Sequence, residues 1–219
     1  MKTIVVIPAR GGSKRLLKKN LKLLGGIPLI AHSILYAQAN KENIDAVFVS
    51  TDDEKIKSIA LEYGAKVIDR PKEISGDFEP TVSAIKHVLE TNIESIENII
   101  TLQSTNPLRP KNLLKEALEI YKNGNHDSLF TISRNYKKLG HIKNNKFIPF
   151  NYEIGQRSQD INKLFFENGL LYISKRKLIL ENTIFNKNAY PFLVENNSSY
   201  IDIDTQEDFS YAEYLITKA

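Results

Sequence analysis

Residues 4–20, IVVIPARGGSKRLLKKN, decide how the rest of this 219-residue chain is interpreted. The stretch begins with an apolar run, turns at Pro8, and continues into a loop with paired glycines, Gly11 and Gly12. The same loop carries five cations, Arg10, Lys14, Arg15, Lys18 and Lys19. An apolar run that feeds a basic, glycine-containing loop is typical of a buried strand with an anion site at its carboxyl end. The stretch therefore predicts an α/β sheet with an anion-binding loop after its first strand.

The positive charge of the chain is concentrated in this loop. The chain has 30 Lys and Arg residues against 26 Asp and Glu residues, a net charge of +4. Residues 1–24 hold seven of the bases and no acid, which leaves 23 bases against 26 acids elsewhere. A protein that binds duplex nucleic acid usually spreads its bases along one face. The distribution instead favours a compact anion such as a polyphosphate, although composition alone also allows a solvated basic surface loop.

The loop matches neither of two common phosphate-binding patterns. It lacks Gly-x-x-x-x-Gly-Lys-Ser/Thr and it lacks Gly-x-Gly-x-x-Gly, so it is neither a P-loop nor the dinucleotide fingerprint. The physical logic is nevertheless shared, because glycines let backbone N–H groups approach phosphate oxygens and fixed cations neutralise them.

Composition excludes several classes of protein. The chain has no cysteine, which rules out disulfides, thiolate metal sites and a cysteine nucleophile. The apolar run before Pro8 is too short for a signal peptide, and no run approaches the roughly 18 apolar residues of a membrane span. We therefore expect a cytoplasmic protein that binds neither membrane nor nucleic acid. The histidines lack metal-ligand spacing, and His32 and His87 fall within predicted helices, where a structural role is expected.

Strand and helix patterns alternate through the first 133 residues. Strands are predicted at 3–7, 45–50, 65–69, 98–103 and 127–133, and helices at 28–40, 51–63, 80–91 and 111–122. Thr51-x-x-Glu54 looks like a capping box at the start of the second helix, and Gly64 is expected to end it. The alternation predicts one Rossmann-like α/β domain, residues 1–219, with a mostly parallel sheet and helices on both faces.

The second part of the chain breaks this rhythm. Residues from about 134 to 167 are polar and irregular, and a hairpin is predicted at Asn144-Asn145. They predict an excursion from the sheet. Strands are then predicted at 169–173 and 199–203, and a closing helix at 205–219.

Asp202 and Asp204 form a candidate metal site. Residues i and i+2 of a strand point to the same face, so the two carboxylates would be presented together. Paired carboxylate oxygens suit Mg²⁺, which could bridge phosphate oxygens there. The alternative is a helix cap, since Thr205-x-x-Asp208 is cap-like. Both can hold, because Thr205 can cap the helix while Asp204 binds the metal.

Five ordered segments together resemble a known family. The run IPARGGSKRLLKKN is similar to the signature of the cytidylyltransferases that activate sialic acids and related nine-carbon 2-keto acids, the CMP-acylneuraminate synthetases. Four further segments resemble that family's motifs in the same order: residues 70–73 with Thr81, residues 102–109, residues 157–160 followed by 168–173, and residues 202–205. The resemblance covers essentially the whole chain. It implies a fold of the nucleotide-diphospho-sugar transferase type, with the excursion as a dimerisation arm and hence a homodimer.

The resemblance also implies roles for individual residues. The nucleotide CTP would be bound by Arg10, Gly11, Gly12, Ser13, Lys19, Asn20, Arg70 and Thr81. The catalytic residues would be Lys19, Arg10, Asp202 and Asp204, with Lys19 as the cation nearest the reacting phosphate and Mg²⁺ held by the two aspartates. The acidic sugar would be oriented by Gln103, Arg157 and Gln159, with a further cation from either Lys137 or Lys138.

The implied reaction is the transfer of CMP from CTP to the anomeric hydroxyl of a sialic-acid-like nonulosonic acid, with release of pyrophosphate. The chain departs from the family at Ser158, where members often carry Arg, and at Ile161-Asn162, where Leu-Pro is usual. Three alternatives stay open: a synthetase for the eight-carbon acid Kdo, a nucleotidyltransferase for a sugar 1-phosphate, and a non-catalytic nucleotide-binding protein of this fold.

Overall fold

The fold is an α/β structure built around one central sheet. The computed structural model of the protein describes residues 2–92 and 96–218. The strands within these residues are β1 (Lys2–Pro8), β2 (Leu23–Leu24), β3 (Ile27–Pro28), β4 (Ala46–Thr51), β5 (Lys66–Asp69), β6 (Ile96–Thr101), β7 (Ser128–Asn135), β8 (Gly140–Lys143), β9 (Lys146–Pro149), β10 (Leu164–Lys175) and β11 (Tyr190–Leu193). The helices are α1 (Leu29–Ala39), α2 (Glu54–Glu62), α3 (Thr81–Asn92), α4 (Leu113–Asn123), α5 (Arg176–Leu180) and α6 (Gln206–Lys218).

The strand order of the central sheet in the described residues is β11-β7-β10-β6-β1-β4-β5. β1 pairs in parallel with both β4 and β6, and β5 pairs in parallel with β4. β10 is antiparallel to both β6 and β7. The carboxyl ends of β1, β4 and β6 therefore meet at one edge of the sheet, where parallel α/β folds bind their ligands.

Strand β1 is buried on both faces, which explains its unbroken apolar sequence. Val5 and Ile7 pack into a core layer with residues of α1 and α4. Ile4 and Val6 pack on the opposite side with residues of α3. The basic loop therefore follows a strand that is fixed from both sides.

Most predicted elements are confirmed within one or two residues, including the hairpin between β8 and β9. Asn144 and Asn145 both have positive φ, 50° and 59°, as a tight hairpin turn of the I′ kind requires. The helix α2 ends as expected before Gly64, whose φ is +78°. The predicted closing helix is confirmed as α6, and Ala219 lies outside the described residues.

Two sequence predictions are wrong, the cap of α2 and the strand at 199–203, and a third element is longer than predicted. Helix α2 is capped by Asp53, whose carboxylate accepts hydrogen bonds from the backbone of Lys55 and Ile56, and Thr51 belongs to β4 instead. Residues 199–203 form no strand: a 3-10 turn, Asn197–Tyr200, is followed by irregular backbone. The strand predicted at 169–173 is the second half of the longer β10, and α5 and β11 were not predicted.

The excursion leaves the sheet after β7 and returns at β10. The β8–β9 hairpin pairs with no strand of the central sheet among the described residues. None of the helices in the described part of the chain has the length and hydrophobicity needed to span a membrane.

Candidate active site

A cleft of about 600 Å³ lies at the carboxyl ends of β1 and β6. Its walls come from four separate parts of the chain: the basic loop, the segment from Arg70 to α3, the loop after β6, and the residues just before α6. The predicted site residues that line it are Arg10, Ser13, Lys19, Asn20, Arg70, Thr81, Gln103, Asp202 and Asp204. The fold thus brings together most of the residues that the sequence singled out.

Lys19 is a buried cation of the cleft. It opens a 3-10 turn, and its side chain is largely excluded from solvent. Its ammonium group donates a 2.6 Å hydrogen bond to the Ile203 carbonyl and contacts Asp204 Oδ1 at 2.8 Å. Because charge interactions strengthen where water is excluded, this ammonium can act strongly on a phosphate bound beside it.

The core beneath the cleft explains why Lys19 meets Asp204, 185 residues later in the chain. Leu16 of the basic loop packs in one apolar cluster with Ile201, Ile203 and Phe209. Ile203 also donates its backbone N–H to the Thr105 carbonyl at 2.8 Å. These contacts fix the basic loop and the aspartate segment against each other.

Asp202 and Asp204 both open onto the cleft, although the segment that carries them is not a strand. Ile201 and Ile203 point into the core, so the predicted alternation holds without ladder hydrogen bonds. Asp204 is paired with both Lys19 and Arg15, the latter at 2.7 Å. No ion pair between described residues includes Asp202.

The surroundings of Asp202 favour a cation. The cleft walls remove part of its hydration, which raises the pKa of its carboxyl above the ordinary value despite a hydrogen bond from Thr105. Nearby Asp204 raises the pKa further, and Lys19 opposes the shift. A bound cation would relieve this cost.

The donor set fits Mg²⁺ only in combination with a substrate. In residues 2–92 and 96–218, no group of three or more His, Cys, Asp or Glu side chains could enclose a metal by itself. Mg²⁺ is commonly held by one or two carboxylates together with substrate phosphates and water. Asp202 and Asp204 beside the basic loop fit that combination.

The helix cap that competed with the metal interpretation is also present. Asp208 accepts hydrogen bonds from the backbone N–H groups of Asp204 and Thr205, at 3.0 and 2.8 Å. Thr205 Oγ1 in turn accepts from the Asp208 N–H at 3.2 Å, so the two residues form a reciprocal cap of α6. Since Thr205 and Asp208 make this cap, Asp204 has no capping role.

The glycines of the basic loop lie differently from expectation. Gly11 donates its N–H to Asp52 Oδ1 at 2.9 Å instead of presenting it to the cleft. A Cβ at Gly11 would lie 2.7 Å from Asp53 Oδ2, so the close approach of the α2 cap requires glycine here. Neither Gly11 nor Gly12 lines the cleft, and their predicted contact with the nucleotide stays a prediction.

Asn20 and Arg70 line the cleft but are also engaged within the protein. The Asn20 side chain donates to the Arg10 carbonyl at 3.1 Å and accepts from Ser104 at 2.7 Å. Arg70 donates to the Ser50 hydroxyl and carbonyl, at 3.1 and 2.6 Å. Burial lowers the pKa of Arg70 below its ordinary value. Both residues brace the cleft walls in addition to any contact with a ligand.

The loop after β6 is held by a buried arginine that sequence reasoning left without a role. Arg109 donates to the Leu170 and Gln103 carbonyls, each at 2.6 Å, and to Ser33 Oγ at 3.0 Å. Burial lowers its pKa to about 10. The contacts tie this loop to β10 and α1, and they hold Gln103 at the cleft.

Gly169 supports the same corner of the cleft. Its φ is +73°, and a Cβ there would lie 2.9 Å from Asn106 Oδ1 and 3.1 Å from Gln103 Oε1. Asn106 is buried and donates to the carbonyls of Asn168 and Ile201, at 3.0 and 2.9 Å. The Asn168-Gly169 pair thus links the Gln103 loop to the aspartate segment.

Arg157 and Gln159 are not brought to the cleft of their own chain. Both lie on the excursion, where Arg157 is 72% exposed and pairs with Asp160 at 2.7 Å. Lys137 and Lys138 lie there too, and the Lys138 ammonium donates to the Gln156 carbonyl. Their contact with a sugar therefore stays a prediction.

His32 and His87 lie in α1 and α3, as predicted. His32 Nε2 is 2.9 Å from the Leu24 carbonyl, and burial lowers the pKa of its ring. This contact fits the structural role expected of it.

Asp77 is a cleft residue that the sequence did not reveal. Arg10 Nη1 pairs with its Oδ1 at 2.8 Å, and Lys14 pairs with its other oxygen. The only available signal was its place between Arg70 and Thr81, which belong to one of the resembling segments. An exposed aspartate in a loop carries no local pattern that would identify such a partner.

A profile of the cytidylyltransferase family matches residues 4–219 of the chain. A pseudaminic acid cytidylyltransferase of Campylobacter jejuni is 34% identical over 225 residues, which cover 98% of this chain and 96% of that protein. An N-acylneuraminate cytidylyltransferase of Streptococcus agalactiae is 34% identical over 216 residues. That match covers 95% of this chain but 52% of the relative, so the chain spans about half of its length.

Solved structures support the fold independently. The structure of CMP:2-keto-3-deoxy-manno-octonic acid synthetase complexed with CTP has a TM-score of 0.73 to this chain. The match covers 100% of this chain and 99% of the other at 18% identity, which identifies the common fold.

Proposed function

Since this chain belongs to the cytidylyltransferase family, we propose that it transfers CMP from CTP to the anomeric hydroxyl of a nine-carbon 2-keto acid. The observation that carries the proposal is the contact of Lys19 with Asp204 in a cleft that Asp202 and the basic loop also line. A site that binds a nucleotide without catalysing its reaction would need only the cations of the loop. The carboxylates add the means to hold a metal at the phosphates.

The reaction joins the two substrates at phosphorus. The anomeric oxygen attacks the α-phosphorus, the bond to the bridging oxygen of pyrophosphate breaks, and the proton of the hydroxyl is released to water. Arg10, Lys14 and Lys19 balance the charge of the triphosphate, and such charge stabilisation usually contributes most to the acceleration of phosphoryl transfer.

Asp202 and Asp204 would hold Mg²⁺, and the metal would supply positive charge to neutralise the phosphate oxygens. Asp204 also fixes the Lys19 ammonium. We assign no general base.

The relatives narrow the acceptor to a class. The Campylobacter relative is named for pseudaminic acid and the streptococcal one for N-acylneuraminate. Identity is 34% to both, which favours neither acid. Gln103, held at the cleft by Arg109 and Gly169, is the residue of this chain best placed to meet the acceptor.

A pyrophosphate-release assay with CTP and Mg²⁺ tests the function directly. The panel should contain neuraminate, legionaminate, pseudaminate, a deaminated nonulosonic acid and Kdo. We expect release with at least one nine-carbon acid, its loss with EDTA, and its return with excess Mg²⁺. Release with Kdo alone would transfer the assignment to the eight-carbon alternative, and no release with any acid would refute the proposal.

The excursion supports a homodimer. Its described residues expose an unusual number of large apolar side chains, and a concentration of exposed apolar side chains favours an interaction site. They are Tyr136, Leu139, Ile142, Phe147, Ile148, Phe150 and Ile154. A partner copy would cover them, and the arm would carry Arg157 and Gln159 toward the partner's cleft.

Replacing Ile142 with Asp should convert the dimer to a monomer at micromolar concentration. Ile142 is 76% exposed, so the charge should disturb the interface and leave the fold of each subunit intact. Size-exclusion chromatography with light scattering measures the change. Leu61→Asp is the matched control, because Leu61 is 55% exposed but lies on α2, away from the arm. A fully active wild-type monomer would contradict the dimer proposal.

A further inference from the structure

Asp77 ties two walls of the cleft together. It lies in the segment 76–79, between a 3-10 turn and α3. Each of its carboxylate oxygens meets a different cation of the basic loop, Arg10 at 2.8 Å and Lys14. These contacts lower the pKa of Asp77, with the Lys14 hydrogen bond as the largest favourable cause, so the carboxylate is ionised at neutral pH.

The Asp77 carboxylate is therefore paired with Arg10 and Lys14, two cations that would otherwise be available to bind a triphosphate. A triphosphate that entered the cleft beside Asp77 would meet a like charge on the opposite wall. Like charges at close range are unfavourable unless one group moves or is neutralised. A triphosphate offers several charges to the same two cations, whereas Asp77 offers one.

The segment that carries Asp77 is held weakly by other contacts. The Phe78 side chain is 100% exposed, so no apolar packing fixes the segment. The Glu79 N–H bonds locally to the Gly76 carbonyl at 3.3 Å, and the Glu79 carboxylate accepts from Ser83 of α3. Among the described residues, the two ion pairs of Asp77 are the polar contacts that join this segment to the basic loop.

We propose that Asp77 is an internal competitor of the nucleotide: it holds Arg10 and Lys14 in the free enzyme, and the triphosphate displaces it from both cations. Segment 76–79 is released when CTP binds and returns when pyrophosphate leaves. Asp77 thus occupies the two cations in the empty site and lowers the affinity for the triphosphate. The inference rests on the proposed CTP site.

Removing the charge should tighten binding of the phosphates. The two ion pairs are partly exposed, and each such pair contributes little free energy in water. We therefore expect Asp77→Asn to bind CTP about three- to tenfold more tightly than the wild type. A merely structural Asp77 would give the opposite sign, because its loss would disorder Arg10 and Lys14.

Isothermal titration calorimetry with three probes tests the proposal in the presence of Mg²⁺. CTP and inorganic tripolyphosphate should both bind more tightly to Asp77→Asn, while cytidine, which has no phosphate, should bind as it does to the wild type. Adding Lys14→Met should abolish much of the gain, since the released cation is then absent. Asp69→Asn is the matched control, because Asp69 pairs with Lys57 at 2.7 Å outside the cleft and its loss should change nothing.

The outcomes separate failure of the competitor role from failure of the proposed function. Unchanged or weaker binding of tripolyphosphate by Asp77→Asn would overturn the competitor role while leaving the CTP site in place. An equal gain in affinity for cytidine would also overturn the competitor role, because the effect of Asp77→Asn would then not act through the phosphates. A wild-type protein that binds neither CTP nor tripolyphosphate would refute the proposed function and this inference together.

Discussion

Lys19→Met should lower the kcat of CMP transfer by about two to three orders of magnitude, with a smaller change in the KM for CTP. Removing one preorganised donor from a site where charge develops typically costs about 10²- to 10³-fold. Lys19 meets the conditions for that effect, because it is buried and its ammonium is fixed by the Ile203 carbonyl and Asp204. Methionine keeps most of the length of the side chain and removes the charge. Steady-state pyrophosphate release measures the result.

Arg15→Met is the matched control for this prediction. Arg15 contacts the same carboxylate at 2.7 Å, but its side chain is 71% exposed. Water screens an exposed ion pair, so its loss should reduce kcat less than tenfold. Equal losses from the two variants would show that Asp204 needs both partners and that burial does not distinguish Lys19. Circular dichroism of both variants excludes a folding defect.

Asp202→Asn should abolish turnover and leave the protein at least as stable as the wild type. The substitution keeps the size of the side chain but removes the charge that a metal would need. We expect a loss of at least about 10²-fold in kcat, while CTP affinity changes little because the basic loop is intact. Residual CTP binding without turnover would distinguish an enzyme from a non-catalytic nucleotide-binding protein.

The stability of this variant follows from the raised pKa of Asp202. A carboxyl whose pKa is raised by folding carries an unfavourable charge at neutral pH, so a neutral amide removes a cost. The melting temperature of Asp202→Asn should therefore equal or exceed that of the wild type at neutral pH. The difference should shrink as the pH falls through the raised pKa, because wild-type Asp202 is then protonated. A variant with a clearly lower melting temperature at neutral pH would contradict this account.

Asp208→Ala provides a contrast within the same segment. Asp208 caps α6 by accepting hydrogen bonds from Asp204 and Thr205, so its loss should cost stability, about 1 kcal/mol. It does not line the cleft, and turnover should be largely preserved. The two aspartates, six residues apart, should thus show opposite patterns of stability and activity.

Several features of this protein could be predicted because their causes are local. The apolar run of β1 and the cations after it indicated a buried strand and an anion loop without any knowledge of their partners. Asn144-Asn145 indicated a tight hairpin turn, since asparagine tolerates positive φ. The alternation of Ile201 and Ile203 with Asp202 and Asp204 indicated which side chains face the core. The same alternation did not show that residues 201–204 lack the backbone hydrogen bonds of a strand.

Other features depend on contacts between distant parts of the chain. The cap of α2 lies at Asp53, against which the distant Gly11 packs closely, although Thr51 satisfied the local pattern. The antiparallel insertion of β10 between β6 and β7 depends on which strand edges are available, which no short stretch encodes.

The sequence by itself therefore determined the α/β class, the basic loop and the identity of the residues that could bind phosphate and metal. Hydrophobic periodicity, turn chemistry and charge are properties of a few neighbouring residues, so they do not depend on contacts with distant parts of the chain. Only the tertiary structure decided that Lys19 lies against Asp204, that Asp77 occupies Arg10 and Lys14, and that Arg157 lies away from its own cleft. Those relations join residues far apart in the chain, so they depend on how strands and loops pack together.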